Sequence, residues 1–247
     1  MRIFFILSLF FHTLFAVNDL DNALRLYEGN KFVKAYEIFE RLCEKDNARA
    51  CFSLAYMNEN AQGVARDFDK ACKFYDKSCK LGLTKACSNM ALTLQDLGYV
   101  NESLLAFNKA CNLGESSSCN HMGLVYEDEK DGQMATHFYK RSCDLKDARA
   151  CYKLGFLYER GELVRQNLKS ALAFYSKSCT LGFTEACYLI GRYYELEKKD
   201  LKKAKRYLGM ACDKKHQEAC AAYRKLNSQD IYRNLLKCHQ KYFKKLN

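Results

Sequence analysis

The chain has 247 residues and a formal net charge of +11, with fourteen cysteines, no tryptophan and no proline. After the N-terminus, no stretch approaches the twenty apolar residues of a membrane-spanning helix, so we expect no membrane span. The charge is uneven, because residues 198–247 hold 15 basic and 4 acidic side chains, whereas residues 1–197 hold 25 of each. A basic end either caps the last helices or binds an anionic surface, and we favour the cap, with no nucleic-acid partner.

The first sixteen residues predict a signal peptide. Arg2 precedes an apolar run over residues 3–11, and Ala16 is the small residue before a cleavage point near Val17. Export brings a chain into an oxidising compartment, where disulfides persist. The sequence therefore predicts a secreted or periplasmic protein.

Twelve of the fourteen cysteines form six pairs whose members are eight residues apart. The pairs follow one another at intervals of 32 to 36 residues, a period typical of helical repeat arrays. Structural zinc sites need cysteines two to four residues apart, or a cysteine pair followed by spaced histidines, so we predict no metal and no cofactor. The spacing instead predicts six disulfides, between Cys43 and Cys51, Cys79 and Cys87, Cys111 and Cys119, Cys143 and Cys151, Cys179 and Cys187, and Cys212 and Cys220.

An opening helix hairpin is predicted at residues 20–43, and five more hairpins follow it. The five repeats lie near residues 48–83, 84–115, 116–147, 148–183 and 184–216. Each first helix begins with a small residue and a cysteine, and each second helix ends at a cysteine. Gly82, Gly114 and Gly182 are predicted to close second helices in a left-handed conformation, and Thr84 and Thr184 to cap the helices that follow. Each disulfide then joins one hairpin to the next.

Two of the repeats carry four extra residues between their helices, in the segments 63–71 and 161–171. The pattern of a glycine, a valine, a polar turn and then Lys/Ser-Ala resembles the Sel-like repeat, a relative of the tetratricopeptide repeat, and the resemblance covers residues 18–227. With the cysteine spacing, the chain is similar to the cysteine-rich Sel-like repeat proteins secreted by epsilon-proteobacteria, which are catalogued as β-lactamase-like and penicillin-binding. This resemblance implies slow hydrolysis of penicillin- and cephalosporin-type lactams.

The predicted fold is all-α. We expect a right-handed α/α solenoid of helix-hairpin repeats over residues 17–227, held by the disulfides, and a basic capping helix over residues 228–247. Cys72 and Cys238 have no partner in this scheme. Cys72 is interpreted as a structural free thiol, and Cys238 as the better candidate for a bridge between molecules in an otherwise monomeric protein.

No catalytic motif is recognisable in the sequence, so the catalytic residues are unknown. The chain lacks the Ser-x-x-Lys, Ser-Asp-Asn and Lys-Thr-Gly motifs of serine β-lactamases. The first helices of a hairpin array line a surface that takes up extended peptides or partner helices. A variable position on these helices, at Ser53, Asn89, His121 and Lys153, is predicted to be either a ligand groove or an unconstrained solvent-exposed surface.

The function that this pattern favours is binding. We expect an exported protein that binds a protein, a peptide or a peptidoglycan fragment, and possible β-lactam ligands follow from the resemblance. A weak β-lactamase is the alternative that the resemblance implies.

Overall fold

The structure is a computed structural model, and it describes residues 19–228. The predicted signal peptide at residues 1–16 and Cys238 lie outside the described residues, as does nearly all of the predicted capping helix at residues 228–247. The chain forms two compact units, one ending at Cys119 and the other beginning at Asn120.

Helices form all the regular structure of residues 19–228, which confirms the all-α prediction. The first unit contains α1 (19–28), α2 (Phe32–Glu44), α3 (Ala48–Glu59), α4 (Phe68–Lys80), α5 (Thr84–Asp96) and α6 (Val100–Asn112). Helix α7 (Ser116–Asp128) begins in the first unit and ends in the second. The second unit continues with α8 (Gly132–Asp144), α9 (Ala148–Arg160), α10 (Leu168–Thr180), α11 (Thr184–Leu196), α12 (Leu201–Asp213) and α13 (217–228).

Consecutive helices pack as hairpins, with α3, α5, α7, α9 and α11 as the first helices of the five repeats. Their small residues allow a close approach to the second helix. A Cβ atom placed on Gly155 of α9 would lie 2.7 Å from the ring of Tyr175 on α10, and one on Gly191 of α11 would lie 2.7 Å from Leu208 on α12. The buried tyrosine and leucine therefore fill the space that a first-helix side chain would otherwise occupy.

Six disulfides connect the helices, at the six pairs that the eight-residue spacing predicts. Each joins the end of one hairpin to the start of the next, as Cys79 of α4 is joined to Cys87 of α5. The cysteines of the first five disulfides are almost completely buried, with Cys87 and Cys151 among the most buried, whereas Cys212 and Cys220 are partly buried. This number of disulfides is consistent with an oxidising compartment outside the cytoplasm.

The helix ends agree only partly with the predicted caps. Gly82, Gly114 and Gly182 have φ values of 94°, 93° and 96°, which confirms the left-handed closure of the second helices. The prediction for Thr84 and Thr184 is wrong, because each is the first residue inside its helix. The cap positions before them are Leu83 and Phe183, whose apolar side chains accept no hydrogen bond.

Side-chain caps are instead supplied by asparagine and aspartate at other helices. For example, the side chain of Asn47 accepts a hydrogen bond from the Ala50 backbone N–H at 3.0 Å, and that of Asp67 accepts one from Lys70 at 2.9 Å. The same role falls to Asp131, Asp147, Asn167 and Asp200.

The extra residues of the two longer repeats fold back onto the preceding hairpin. The loop after α3 brings Gly63 against the start of α2, where a Cβ atom on Gly63 would lie 2.7 Å from that of Phe32. The loop after α9 brings the backbone of Leu163 against Gly132, the first residue of α8. In each case one partner of the contact is a glycine, so the insertions are fitted to the repeats before them.

Candidate functional site

Neighbouring first helices contact each other through polar side chains within each unit. In the first unit, Thr93 of α5 donates a hydrogen bond to Glu59 of α3 at 2.6 Å. In the second unit, Lys153 of α9 forms an ion pair with Glu127 of α7 at 3.2 Å. Helices α3 and α5 of the first unit, and α7 and α9 of the second, are therefore adjacent, and we call the exposed side of each pair the first-helix face of that unit.

Apolar side chains stand exposed at one repeated position of this face, the ninth residue of the helix. In the first unit the position holds Tyr56 and Leu92, which are 39% and 51% exposed. In the second unit it holds Leu124, which is 40% exposed, and Phe156, which is half-buried, whereas on α11 it holds the basic Arg192. Exposure at one position in consecutive repeats makes a row of apolar groups, and such a row is typical of a binding surface rather than of scattered surface residues.

Basic residues accompany the apolar row. The second residue of the helix is Arg49 on α3, Lys85 on α5 and Arg149 on α9, and all three are exposed. The Lys85 Nζ atom lies 5.8 Å from the ring centre of Phe52, and the Arg160 guanidinium lies 5.2 Å from that of Phe156. Each first-helix face can therefore bind apolar and anionic groups side by side.

Buried tyrosines fix the first helices in place by donating hydrogen bonds to glutamates. The Tyr75 hydroxyl donates to Glu59 at 2.8 Å, the Tyr175 hydroxyl donates to Glu159 at 2.5 Å, and Tyr139 and Glu127 form the same pair. Burial, followed by the hydrogen bond to the glutamate, raises the pKa of Tyr139 and Tyr175 far above the ordinary value. The hydroxyls therefore remain protonated donors throughout the pH range in which proteins are stable.

The four predicted groove residues lie on the first helices, and each is partly buried. The Asn89 amide donates to the Tyr75 hydroxyl at 3.4 Å, and Lys153 is held by Glu127. The Ser53 hydroxyl donates to the Arg49 carbonyl of its own helix at 3.1 Å. Burial lowers the pKa of His121. Asn89 and Lys153 therefore contact tyrosine–glutamate pairs. The exposed residues Tyr56 and Leu92 of the first unit and Leu124 of the second were not among those predicted from the sequence.

A small pocket of about 230 Å³ lies between α8 and α9. It is lined by Gln133, Met134, Thr136, His137, Lys140, Leu154 and Tyr158. Within residues 19–228, no group of three or more histidine, cysteine, aspartate or glutamate side chains is placed to hold a metal ion.

A scan against protein-family models matches the Sel1 repeat at residues 48–83, 108–147, 148–183 and 184–216. These segments make up more than half of the chain. The chain belongs to the Sel1 repeat family. Residues 84–107 are not matched, yet they form α5 and most of α6, so this Sel1 repeat protein continues its hairpins through a segment of less typical sequence.

Solved structures show the same fold. A Sel1 repeat protein from Oxalobacter formigenes is 25% identical with a TM-score of 0.62, and the match covers 81% of this chain and 86% of that one. The protective antigen c5321 of uropathogenic Escherichia coli is 23% identical with a TM-score of 0.72, over 87% of this chain and 50% of that one.

The cysteine-rich protein B of Helicobacter pylori is 30% identical over 49% of this chain and 93% of that one, with a TM-score of 0.40. The sequence matches none of the curated proteins with which it was compared. Among the helices at residues 19–228, none is long and apolar enough to cross a membrane.

Cys72 is the cysteine outside the disulfides in the described part of this Sel1 repeat protein. Its side chain on α4 is partly buried. Burial, and then the negative charges of Asp69 and Glu59, raise the pKa of its thiol. Since the thiolate is the reactive form, a raised pKa lowers its fraction at neutral pH.

We expect Cys72 of the native protein to react with iodoacetamide at pH 7.5 about tenfold more slowly than in the urea-unfolded, unreduced protein. Mass spectrometry of the peptide that contains Cys72 measures the rate apart from that of Cys238. Equal rates in the two states would show that the native surroundings do not protect the thiol.

Proposed function

We propose that this Sel1 repeat protein is exported and binds a protein or peptide on its first-helix faces. The repeat fold supports protein binding in general, because stacked hairpins present extended surfaces to partners. The observation that carries the assignment to these faces is the exposure of apolar side chains at one repeat position, at Tyr56 and Leu92 in the first unit and at Leu124 in the second. A row at one repeat position suits an extended chain or a helix that runs across successive repeats.

The ligand that these faces suit combines apolar and acidic groups. Tyr56 and Leu92 would contact its apolar side chains, while Arg49 and Lys85 would pair with its carboxylates. In the second unit Arg160 lies over the ring of Phe156, and Arg149 is exposed at the start of the same helix. Aromatic and arginine side chains contribute most of the binding energy at protein interfaces, which makes these positions the expected centre of the interaction.

The test compares two leucines of the first unit that differ in their position. Leu92 lies on the first helix α5 and is 51% exposed, and Leu105 lies on the second helix α6 and is 71% exposed. Peptides are selected from a random twelve-residue library on the immobilised protein, and their affinities are measured by isothermal titration calorimetry. We expect Leu92→Asp to weaken binding by about tenfold or more, and Leu105→Asp to change it less than about twofold.

The second unit offers an equivalent pair. Leu124 of α7 is 40% exposed on the first-helix face, and Leu168 of α10 is 47% exposed on a second helix. For peptides bound by this unit, the loss should follow Leu124→Asp and not Leu168→Asp. A loss that follows the second-helix variants in both units would assign the binding surface to the opposite side of the hairpins.

Export, binding of peptidoglycan and hydrolysis of lactams are expected from the sequence and from its resemblance to the cysteine-rich Sel-like repeat proteins. Export is supported by the signal-peptide pattern and the six disulfides, and N-terminal sequencing of protein from the periplasm or the medium checks cleavage near Val17.

A peptidoglycan stem peptide ending in D-Ala-D-Ala serves as a competitor in the same calorimetry. Nitrocefin turnover by the purified protein, against a blank from the empty host, tests the lactamase alternative that the resemblance implies.

A further inference from the structure

The turn between α11 and α12 is the most basic segment that the structure describes. Residues 198–206 hold six basic side chains and one acidic one, Asp200. Of the two glutamates just before them, Glu195 is paired with Arg192 at 2.6 Å, and Glu197 is exposed. Lys198, Lys199 and Lys202 are exposed. The turn therefore carries a concentrated positive charge, and we call residues 196–206 the basic turn.

Three tyrosines lie beneath the cations of the basic turn. The Lys198 Nζ atom is 5.9 Å from the ring centre of Tyr193, and the Lys203 Nζ atom is 5.0 Å from that of Tyr194. The rings of Tyr194 and Tyr207 stack with their centres 5.9 Å apart and an angle of 4° between their planes. The ring faces are thus covered by one another and by basic groups.

An apolar side chain completes the basic turn. Leu196, the last residue of α11, is 55% exposed. The same position holds Asp96 at the end of α5 and Asp128 at the end of α7. Between α7 and α8, Asp128, Glu129 and Asp131 surround Lys130, which has a left-handed φ of 65°, as Lys199 has one of 52°. The turn between α7 and α8 is one residue shorter, with residues 129–131 between its helices against 197–200, but it too places a left-handed lysine before an aspartate cap. Such a turn therefore forms with acidic residues around the lysine, so Leu196 and Lys198 are not needed to form it.

We propose that the basic turn binds the surface of a bilayer that contains anionic phospholipids. Lysines adjacent to such a surface are attracted to its negative headgroups, and tyrosines favour the interface between water and hydrocarbon. Leu196 would enter the boundary between the headgroups and the acyl chains. A single-stranded nucleic acid is a poorer fit, since it needs uncovered aromatic faces on which bases stack.

Vesicle co-sedimentation of the exported, processed protein tests this proposal. The vesicles contain either phosphatidylcholine alone or phosphatidylcholine and phosphatidylglycerol at a ratio of about 2:1. The turn variant carries Lys198→Gln, Lys199→Gln and Lys202→Gln. The control variant carries Lys140→Gln, Lys146→Gln and Lys169→Gln, three exposed lysines of the same unit. A third variant, Leu196→Asp, introduces the residue that α5 and α7 have at this position.

The unmodified protein is expected to bind only the vesicles with phosphatidylglycerol. Its binding should be weaker in about 0.5 M NaCl than at low ionic strength, because salt screens the charges. The turn variant should lower the partition coefficient about 100-fold, and Leu196→Asp about tenfold. The control variant should lower it less than about threefold. Circular dichroism spectra of all variants should match that of the parent, because every substituted side chain is exposed.

Three results would overturn the proposal. The first is the absence of binding to phosphatidylglycerol vesicles. The second is binding that the turn variant does not weaken more than the control does, which would assign it to basic residues elsewhere, including those after residue 228. The third is a turn variant that loses binding while Leu196→Asp retains it and single-stranded DNA binds as tightly as the vesicles, which would identify a general polyanion site.

Discussion

Reduction of the six disulfides is expected to unfold the repeat array. Each bond closes a short loop, and the chain-entropy model gives about 2–3 kcal/mol for such a loop, or about 15 kcal/mol for all six. A typical domain has only about 5–15 kcal/mol of unfolding free energy. In a repeat array the contacts between neighbours decide stability, and each disulfide joins two neighbouring hairpins. Circular dichroism at the helical minimum, followed during heating with and without a phosphine reductant, measures the effect.

Variants that lack one disulfide measure how much each disulfide contributes to the unfolding free energy. Replacing Cys79 and Cys87 together by alanine should lower the unfolding free energy by about 2–3 kcal/mol, as measured by urea titration. Cys72→Ala is the matched control on the same helix, because it removes a sulfur that forms no disulfide, and it should cost less than about 1 kcal/mol. Reduced protein with unchanged helicity and melting temperature would contradict the stabilising role of the disulfides.

Gly132→Val is expected to destabilise the protein by about 3 kcal/mol. Gly132 begins α8 and is buried under the loop that follows α9. A Cβ atom at this residue would lie 2.7 Å from the carbonyl carbon of Leu163 and nearer still to its oxygen. Because the obstacle is backbone, the loop as a whole must move, and Leu163 and Val164 would leave the apolar core that they cover. The midpoint of urea unfolding measures the loss.

The neighbouring Gln133 provides the control for the same substitution. It is exposed in the first turn of α8, so Gln133→Val should change the unfolding free energy by less than about 0.5 kcal/mol. Equal midpoints for the two variants would show that the loop adapts to a side chain at residue 132.

The fold was predictable from the sequence because its main constraints are local. Paired cysteines at fixed spacing, small residues at helical spacing and Gly82, Gly114 and Gly182 after the second helices determine where each hairpin begins and ends. Thr84 and Thr184 were misassigned since a threonine at the start of a helix has the same sequence neighbours whether it caps the helix or begins it. Only the backbone conformation distinguishes the two cases.

Contacts between repeats were harder to foresee, because they join residues that no local pattern connects. The tyrosine–glutamate pairs left a signal that could have been used: Glu59, Glu127 and Glu159 accompany Tyr75, Tyr139 and Tyr175. Where the glutamate is replaced by Gln95, the tyrosine position holds Phe107, which has no hydroxyl. The contact of Leu163 with Gly132 gives no such signal, since it depends on how a loop folds over a different repeat.

The exposed row of the first-helix faces was missed for a related reason. Leu92 and Leu124 occupy a helical position where an apolar residue is ordinarily interpreted as core. Their exposure depends on the absence of a further layer of helices over this side within the described part of each unit. The groove predicted from the sequence lies on the same helices but at Ser53, Asn89, His121 and Lys153, of which Asn89 and Lys153 contact neighbouring helices.

A ¹⁵N-resolved NMR titration with a library-selected peptide tests the binding proposal most directly. We expect the amide signals that shift to belong to the first helices, with the largest changes near Tyr56 and Leu92 for a peptide bound by the first unit, or near Leu124 and Phe156 for one bound by the second. Shifts concentrated on the second helices α4, α6, α8 and α10, with the first helices unaffected, would contradict it.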